Sequence, residues 1–255
     1  MKVVILAGGF GTRISEESHK KPKPMIELAG LPILIHLMKI YMKYGLNDFV
    51  ILAGYKQDYI KEYFLNLKLT MSDMTIDFSS EKNVMFFNTE SFDAKVTILN
   101  TGLNTYTGGR LLRAKKYLSD CETFCLTYGD GLSDVNISEL LNQHKSNDNI
   151  VTLTSVNPGS RFGTLKISGS QVENFREKNN ESDGWINGGF MVMNQGIFKY
   201  LKDDDTILER DPFENISLDG KMGVYKHFGF WQCMDTVRDK NYLEELIENK
   251  KAPWI

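Results

Sequence analysis

Residues 1–13 read MKVVILAGGFGTR. Val3 to Ala7 form an uninterrupted apolar run, which is typical of a strand buried on both faces of a parallel sheet. Glycines follow at positions 8, 9 and 11, where they suit a tight turn or a close approach of the backbone to a ligand. The stretch therefore predicts a first parallel strand that ends in a glycine loop.

The same order of strand and helix continues along the chain. Apolar runs predict further strands, and apolar residues at helical spacing predict helices between them. This alternation predicts an α/β fold: a Rossmann-like three-layer αβα sandwich with a mixed, mostly parallel central sheet and a smaller antiparallel extension. The predicted strands are 48–55, 75–80, 83–88, 95–100, 123–131, 149–156, 161–168, 171–178 and 184–194, and the predicted helices are 31–45, 56–67, 107–118, 137–147 and 237–251.

Composition excludes several classes of protein. The chain has 255 residues, a length that one large domain supports. Its formal net charge of −3 argues against bulk binding to nucleic acid or an anionic membrane. The three cysteines form no CxxC and no metal-ligand spacing with histidine, which argues against zinc and favours a reducing, cytoplasmic location. The start of the chain does not resemble a signal peptide.

Ligands of such a sheet bind at the carboxyl ends of its strands. Backbone N–H groups of the glycine loop can approach a phosphate there, and Arg13 and Lys23 can supply positive charge. The alternative is a tight turn with no ligand. The Walker pattern is absent, and the dinucleotide pattern fails because Ile14 stands where a third glycine is needed.

Two acidic residues also follow strands. Asp130 lies in YGDG (128–131), where a metal ligand and a turn-forming aspartate are both open interpretations. Asp235 lies directly before the predicted last helix, where it could cap the helix or bind a metal. Two carboxylates beside a phosphate cradle would suit Mg²⁺ and phosphoryl or nucleotidyl transfer.

An ordered set of motifs points to one family. It comprises LAGGFGTR (6–13), KPKPM (21–25), TGGRL (107–111), YGDG, SRFGTL (160–165), EK (177–178), INGGFMV (186–192), FWQCMDTVRDK (230–240) and KAPW (251–254). With these motifs the chain resembles the sugar-phosphate nucleotidylyltransferases over essentially its whole length. The forms of KPKPM, TGGRL and FWQCMDTVRD resemble the branch that uses CTP and glucose 1-phosphate.

The resemblance implies a set of roles. It implies Mg²⁺ as cofactor, CTP and a sugar 1-phosphate as substrates, and a homo-oligomer, with a nucleotide-binding part at about 1–155 and a sugar-binding part at about 156–255 of a single domain. Arg13, Lys23 and Lys178 would be catalytic, and Asp130 and Asp235 would bind Mg²⁺. The implied nucleotide contacts are Leu6, Ala7, Gly8, Gly9, Gly11, Thr12, Arg13, Lys23, Thr107, Gly108, Arg110 and Asp130. The implied sugar contacts are Tyr128, Gly163, Glu177, Lys178, Asn187 and Gly188.

One departure keeps alternatives open. Relatives of this family have proline after the Glu-Lys pair, whereas this chain has Asn179. The rigid backbone of proline is lost there, so a different phosphorylated acceptor stays an alternative. A catalytically silent nucleotide-sugar-binding subunit and a Rossmann-type oxidoreductase are further alternatives. The run LKDDDTILERD (201–211) is interpreted as an exposed turn and the start of a helix.

Overall fold

The fold comes from a computed structural model that describes residues 1–14, 18–79, 84–88, 92–158, 164–168, 171–176 and 184–255. Its strands are β1 Lys2–Ala7, β2 Glu27–Leu28, β3 Leu31–Pro32, β4 Asp48–Ala53, β5 Asp73–Ile76, β6 Val84–Phe87, β7 Lys95–Asn100, β8 Thr123–Tyr128, β9 Gly131–Ser133, β10 Val151–Val156, β11 Thr164–Ser168, β12 Gln171–Arg176, β13 Ile186–Asn194, β14 Met222–His227 and β15 Trp231–Cys233. Its helices are α1 Ile33–Met42, α2 Gln57–Thr70, α3 Thr107–Arg113, α4 Lys115–Leu118, α5 Ile137–Lys145, α6 Asp211–Leu218 and α7 Val237–Glu248.

Seven strands form one central sheet in the order β14–β10–β13–β8–β1–β4–β7. The strand β1 lies parallel to both of its neighbours, with Val3 opposite Phe49 on one side and Cys125 on the other. Of the seven strands, β13 is antiparallel to its neighbours β8 and β10, whereas β14 is parallel to β10. The prediction of a mixed, mostly parallel sheet is confirmed.

Helices cover both faces of this sheet. Alternate residues of β1 point to opposite sides: Val3 and Ile5 belong to a core with α1, α5 and α7, and Val4 and Leu6 belong to a core with α3 and α6. A strand with an apolar residue at every position can bury both of its faces in this way. The predicted three-layer sandwich is therefore confirmed.

Several details differ from the sequence prediction, among them the short strands β2, β3 and β9, which were not predicted. The segment 107–118 forms two helices rather than one, because the chain turns at Ala114 between α3 and α4. The strand β14 was not predicted, and together with β13 it extends the main sheet rather than a separate antiparallel part. Small antiparallel pairs lie outside the main sheet: β2 with β3, β5 with β6, β9 with β15, and β11 with β12. In the described part of the chain, the helices are too short or too polar to cross a membrane.

Candidate active site

A cleft of about 730 Å³ opens at the carboxyl ends of β1, β7 and β8. Predicted site residues make up much of its wall: Leu6, Gly8, Gly9, Gly11, Thr12, Lys23, Thr107, Arg110, Tyr128, Asp130 and Asp235. Ala7 is buried beneath the loop. The strand-end rule thus brings together residues that are up to 229 positions apart, from Leu6 to Asp235.

The centre of the cleft holds a lysine between two carboxylates. Lys23 Nζ lies 2.6 Å from Asp130 Oδ2 and 2.6 Å from Asp235 Oδ1. The Lys23 side chain is 12% exposed, and those of Asp130 and Asp235 are 31% and 28% exposed. Burial lowers the pKa of Lys23, but the two carboxylates outweigh it and the pKa is raised above its usual value. Lys23 is therefore held as a cation.

Backbone structure positions these three side chains. Lys23 begins a short 3-10 turn that contains Pro24, which is tolerated there because the first turn of a helix does not need its N–H. Asp130 follows β8, and its carbonyl accepts a hydrogen bond of 2.9 Å from the N–H of Met234. Thr236 caps α7 in a capping box with Asp239, so the carboxylate of Asp235 is not needed as the cap and faces the cleft.

A second cation, Arg110, forms hydrogen bonds with uncharged groups among the residues that the structure describes. Its Nη1 donates to Thr101 Oγ1 and to the carbonyl of Gly102 at 2.7 Å each. Its Nη2 donates to the carbonyl of Gly8 at 3.0 Å and to that of Leu103 at 3.2 Å. The residue is 5% exposed, and burial lowers its pKa. Arg110 therefore ties the glycine loop to the loop after β7.

The packing of Arg110 explains one glycine of the loop. A Cβ atom on Gly8 would lie 2.2 Å from Arg110 Nη1, whereas a Cβ on Gly9 would meet nothing within 4 Å. Gly11 adopts φ +65°, a conformation that suits glycine. Gly8 and Gly11 thus meet two different local requirements, whereas the protein itself leaves room for a side chain at Gly9.

The segment 203–209 packs on the start of α3. The carbonyl of Thr206 accepts hydrogen bonds from the N–H groups of Gly108, at 2.9 Å, and Gly109, at 3.2 Å. A Cβ on Gly109 would lie 2.5 Å from the carbonyl oxygen of Asp204. The glycines of TGGRL therefore permit this close packing, and the sequence interpretation of 201–211 as an exposed turn missed it.

Glu209 of the same segment contacts two predicted site residues. Tyr128 donates its hydroxyl to Glu209 Oε1 at 2.6 Å, and Thr107 donates its hydroxyl to Glu209 Oε2 at 2.7 Å. Asn187 Nδ2 lies 3.4 Å from the Tyr128 hydroxyl oxygen. Burial and the Glu209 carboxylate raise the pKa of Tyr128. No sequence signal marked Glu209, because its partners lie 81 and 102 residues away.

The predicted sugar side is described in part. Gly188 is buried, and its carbonyl accepts a hydrogen bond of 2.7 Å from Trp231 Nε1. Gly163, Glu177 and Lys178 lie outside the described residues. Arg13 lies in the 3-10 turn Thr12–Ile14, and its side chain also lies outside the described part.

The two carboxylates fit a magnesium ion. Both point at one position, now taken by Lys23 Nζ, so a cation is accommodated between them. Across the residues that the structure describes, no three His, Cys, Asp or Glu side chains converge as a metal-binding group. A pair of carboxylates suits Mg²⁺, which usually takes one or two from the protein and completes its shell with water and substrate phosphates.

The family model described as Nucleotidyl transferase matches residues 2–217. The chain belongs to the nucleotidyl transferase family. The glucose-1-phosphate cytidylyltransferase of Salmonella typhi is 46% identical over 255 residues, which cover 100% of this chain and 98% of that protein. The probable glucose-1-phosphate cytidylyltransferase of Bacillus subtilis is also 46% identical, over 100% of this chain and 99% of its own.

A solved structure supports the same fold. The putative glucose-1-phosphate thymidylyltransferase from Bacillus anthracis aligns with a TM-score of 0.71 and 15% sequence identity, over 96% of this chain and 94% of that one. Identity this low supports the fold alone. The predicted resemblance to the sugar-phosphate nucleotidylyltransferases and the prediction of a nucleotidyltransferase are confirmed by the family match and the two full-length relatives.

Proposed function

We propose that this nucleotidyltransferase transfers CMP from CTP to glucose 1-phosphate, giving CDP-glucose and pyrophosphate with Mg²⁺ as cofactor. The observation that carries the proposal is Lys23 held between Asp130 and Asp235 in the cleft. The 46% identity to glucose-1-phosphate cytidylyltransferases along the whole chain supports the choice of CTP and glucose 1-phosphate.

The reaction is a direct displacement. A phosphate oxygen of the acceptor forms a bond to the α-phosphorus of CTP, and the bond from that phosphorus to the bridging oxygen of the β-phosphate breaks. Pyrophosphate leaves with the electron pair. A phosphate dianion is already nucleophilic, so this step needs no general base. Catalysis then consists of positioning and electrostatic stabilisation.

The chain's own residues address the repulsion between two polyanions. At an effective dielectric of about 20, two unit charges 4 Å apart interact by about 4 kcal/mol. The ammonium of Lys23 lies at the cleft surface and would donate to phosphate oxygens near the reacting phosphorus. Asp130 and Asp235 would hold Mg²⁺, which supplies further charge neutralisation on the phosphates when bound. The exposed backbone at Gly9 permits close approach of the triphosphate.

The test is pyrophosphate release from CTP, UTP, dTTP, ATP and GTP with glucose 1-phosphate and Mg²⁺. We expect release with CTP above all others, and a loss of at least about 10²-fold in Asp130→Asn because one of the two carboxylates is neutralised. Asp120→Asn is the matched control, since Asp120 pairs with Lys2 at 2.6 Å on the surface. Equal release from all five nucleotides, or full activity of Asp130→Asn, contradicts the proposal.

The acceptor is tested separately. Asn179 lies outside the described residues. Because it stands where relatives have proline, other phosphorylated acceptors remain an alternative. A panel of phosphorylated acceptors, assayed with the nucleotide that the enzyme prefers, should show the highest kcat/KM for glucose 1-phosphate. A higher value for another sugar phosphate would keep the reaction and replace the acceptor. Binding of CTP without turnover of any acceptor would support the silent-subunit alternative.

The exposed hairpin β5–β6 supports the predicted homo-oligomer. Phe78 beside β5 is 88% exposed and Met85 in β6 is 62% exposed, which is unusual for large apolar side chains. A second copy of this chain would cover them. Light scattering should give a mass of more than one chain, and Phe78→Ser should reduce it, whereas Leu218→Ser at an 84% exposed site on α6 should not. A cytoplasmic location stays a prediction.

A further inference from the structure

Glu209 contacts one predicted nucleotide-binding residue, Thr107, and one predicted sugar-binding residue, Tyr128. Its two carboxylate oxygens accept one hydrogen bond each, from Tyr128 at 2.6 Å and from Thr107 at 2.7 Å. Thr107 begins α3 on the nucleotide side, and Tyr128 ends β8 directly before Gly129 and Asp130. Glu209 itself is exposed and is absent from the residues that line the cleft. Thr107 and Tyr128 do line the cleft, so they are the groups through which Glu209 would act on a substrate.

The hydrogen bonds around Glu209 have a fixed direction. The hydroxyl of Tyr128, a residue of the cleft wall, donates its single proton to Glu209 Oε1, so that proton is directed towards Glu209. On the other side, the N–H of Gly189 donates to Asn187 Oδ1 at 2.9 Å, which places the Asn187 amide nitrogen towards the Tyr128 oxygen, 3.4 Å away. The chain of hydrogen bonds runs from Asn187 through Tyr128 to Glu209.

We propose that Glu209 is a positioning residue that presents the Tyr128 hydroxyl oxygen to the cleft solely as a hydrogen-bond acceptor. A ligand group bound against that oxygen must then donate a proton. A sugar hydroxyl can do so, whereas an ionised phosphate oxygen cannot. The acceptor substrate is thereby oriented with a hydroxyl at Tyr128 and its phosphate away from it, towards Lys23. The identity of the acceptor rests on the proposed function, but the direction of the hydrogen bonds does not.

The first test separates the two substrates. In Glu209→Ala the Tyr128 hydroxyl can rotate and donate into the cleft, so we expect the KM for glucose 1-phosphate to rise about 10-fold, the order of one hydrogen bond. The KM for CTP should rise less than about 3-fold, because Thr107 keeps the hydrogen bond of 2.9 Å that its hydroxyl accepts from the N–H of Leu208. The value of kcat should change less than about 3-fold. Glu139→Ala is the matched control, because Glu139 accepts from the Tyr225 hydroxyl at 2.8 Å outside the cleft. An equal rise in both KM values would indicate general distortion and overturn the proposal.

A double variant tests whether Glu209 acts through Tyr128. If it does, Glu209→Ala combined with Tyr128→Phe should have the same KM for the acceptor as Tyr128→Phe alone. Additive increases in that KM would mean that the two residues act separately, and they would overturn the proposal.

A spectroscopic readout keeps the inference testable without activity. With ¹³Cζ-labelled tyrosine, the signal of Tyr128 is the one lost in Tyr128→Phe, and we expect it to shift in Glu209→Ala but not in Glu139→Ala. If the wild-type enzyme releases no pyrophosphate yet this signal shifts, the proposed function fails and the hydrogen-bond assignment stands. A Tyr128 signal that does not shift overturns the assignment, whatever the activity.

Discussion

Lys23 and Arg110 are two cations with little exposed surface at the same edge of the sheet, and they are held in different ways. Lys23 lies between two carboxylates that face the cleft, at 2.6 Å from each. Arg110 lies against the glycine loop, where a threonine hydroxyl and the backbone carbonyls of two loops and of the end of β4 surround its guanidinium. One cation therefore contacts groups that can rearrange, and the other contacts the walls of the site.

The difference in partners indicates a catalytic role for Lys23 and a structural role for Arg110. A side-chain carboxylate can turn towards Mg²⁺ or water when a phosphate arrives, so Lys23 can exchange its partners during a reaction. A backbone carbonyl moves only with its loop, so Arg110 holds the loops in place whether or not a substrate is bound. The planar guanidinium suits this task because it offers five donors in fixed directions. Variants at the two positions should consequently fail in different assays.

The largest effect is expected for Lys23→Met on activity. Loss of the ammonium removes a donor to the phosphates, and kcat/KM should fall by about 10²–10³-fold. Added Mg²⁺ should raise the melting temperature of this variant more than that of the wild type, because the competing cation between Asp130 and Asp235 is gone. Steady-state kinetics and thermal unfolding check the two parts.

The control for Lys23 comes from the same basic run. Lys21 pairs with Glu27 at 2.7 Å away from the cleft, and Lys21→Met should keep nearly full activity. A comparable loss in Lys21→Met would mean that the charge of the run, rather than the position of Lys23, matters. A normal kcat/KM in Lys23→Met would remove Lys23 from the catalytic set.

The next effect is expected for Arg110→Met on stability. This variant removes the guanidinium donors to the carbonyls of Gly102 and Leu103, whereas those of Gly8 and Ala53 still accept from other N–H groups, and we expect the free energy of unfolding to fall by about 3 kcal/mol. Urea unfolding measures it. Arg113→Met on the same helix is the control: Arg113 pairs with Asp204 at the surface, so its loss should change stability little. An Arg110→Met protein as stable as wild type but inactive would show that Arg110 serves the substrate directly.

The sequence could predict one of these cations better than the other. Asp130 follows β8, Asp235 follows β15, and Lys23 lies in the segment after the glycine loop of β1. The rule that ligands bind at the carboxyl ends of parallel strands predicts that they meet there. The structural role of Arg110 depends on carbonyls of residues 8, 53, 102 and 103, and a carbonyl is present at every residue whatever its side chain. The same limit applies to Glu209, whose contacts with Tyr128 and Thr107 arise only when distant segments pack. Local patterns therefore predicted the sheet and the acidic residues, but not the supports behind them.

A smaller loss of stability is expected for Gly8→Ala. The added methyl group would lie 2.2 Å from Arg110 Nη1, so the guanidinium must move away from its carbonyls. Overpacking of this kind costs about 2 kcal/mol. In Arg110→Met the obstacle is gone, so the cost of Gly8→Ala should shrink in the double variant, as measured by urea unfolding. If Gly8→Ala lowers the free energy of unfolding equally in both backgrounds, the added methyl group clashes with a part of the loop other than Arg110.

The smallest effect on stability is expected for Gly9→Ala, one residue further along. A methyl group there meets nothing within 4 Å, and Gly9 is exposed on the cleft, so the free energy of unfolding should stay within about 0.5 kcal/mol of wild type. The methyl group would nonetheless occupy space where the triphosphate approaches the backbone, and the KM for CTP should rise about 10-fold while that for the acceptor stays unchanged. An unchanged KM for CTP would mean that the nucleotide does not contact this part of the loop. In that case contact with Arg110 would explain why residue 8 is glycine, whereas contact with the ligand would not explain why residue 9 is.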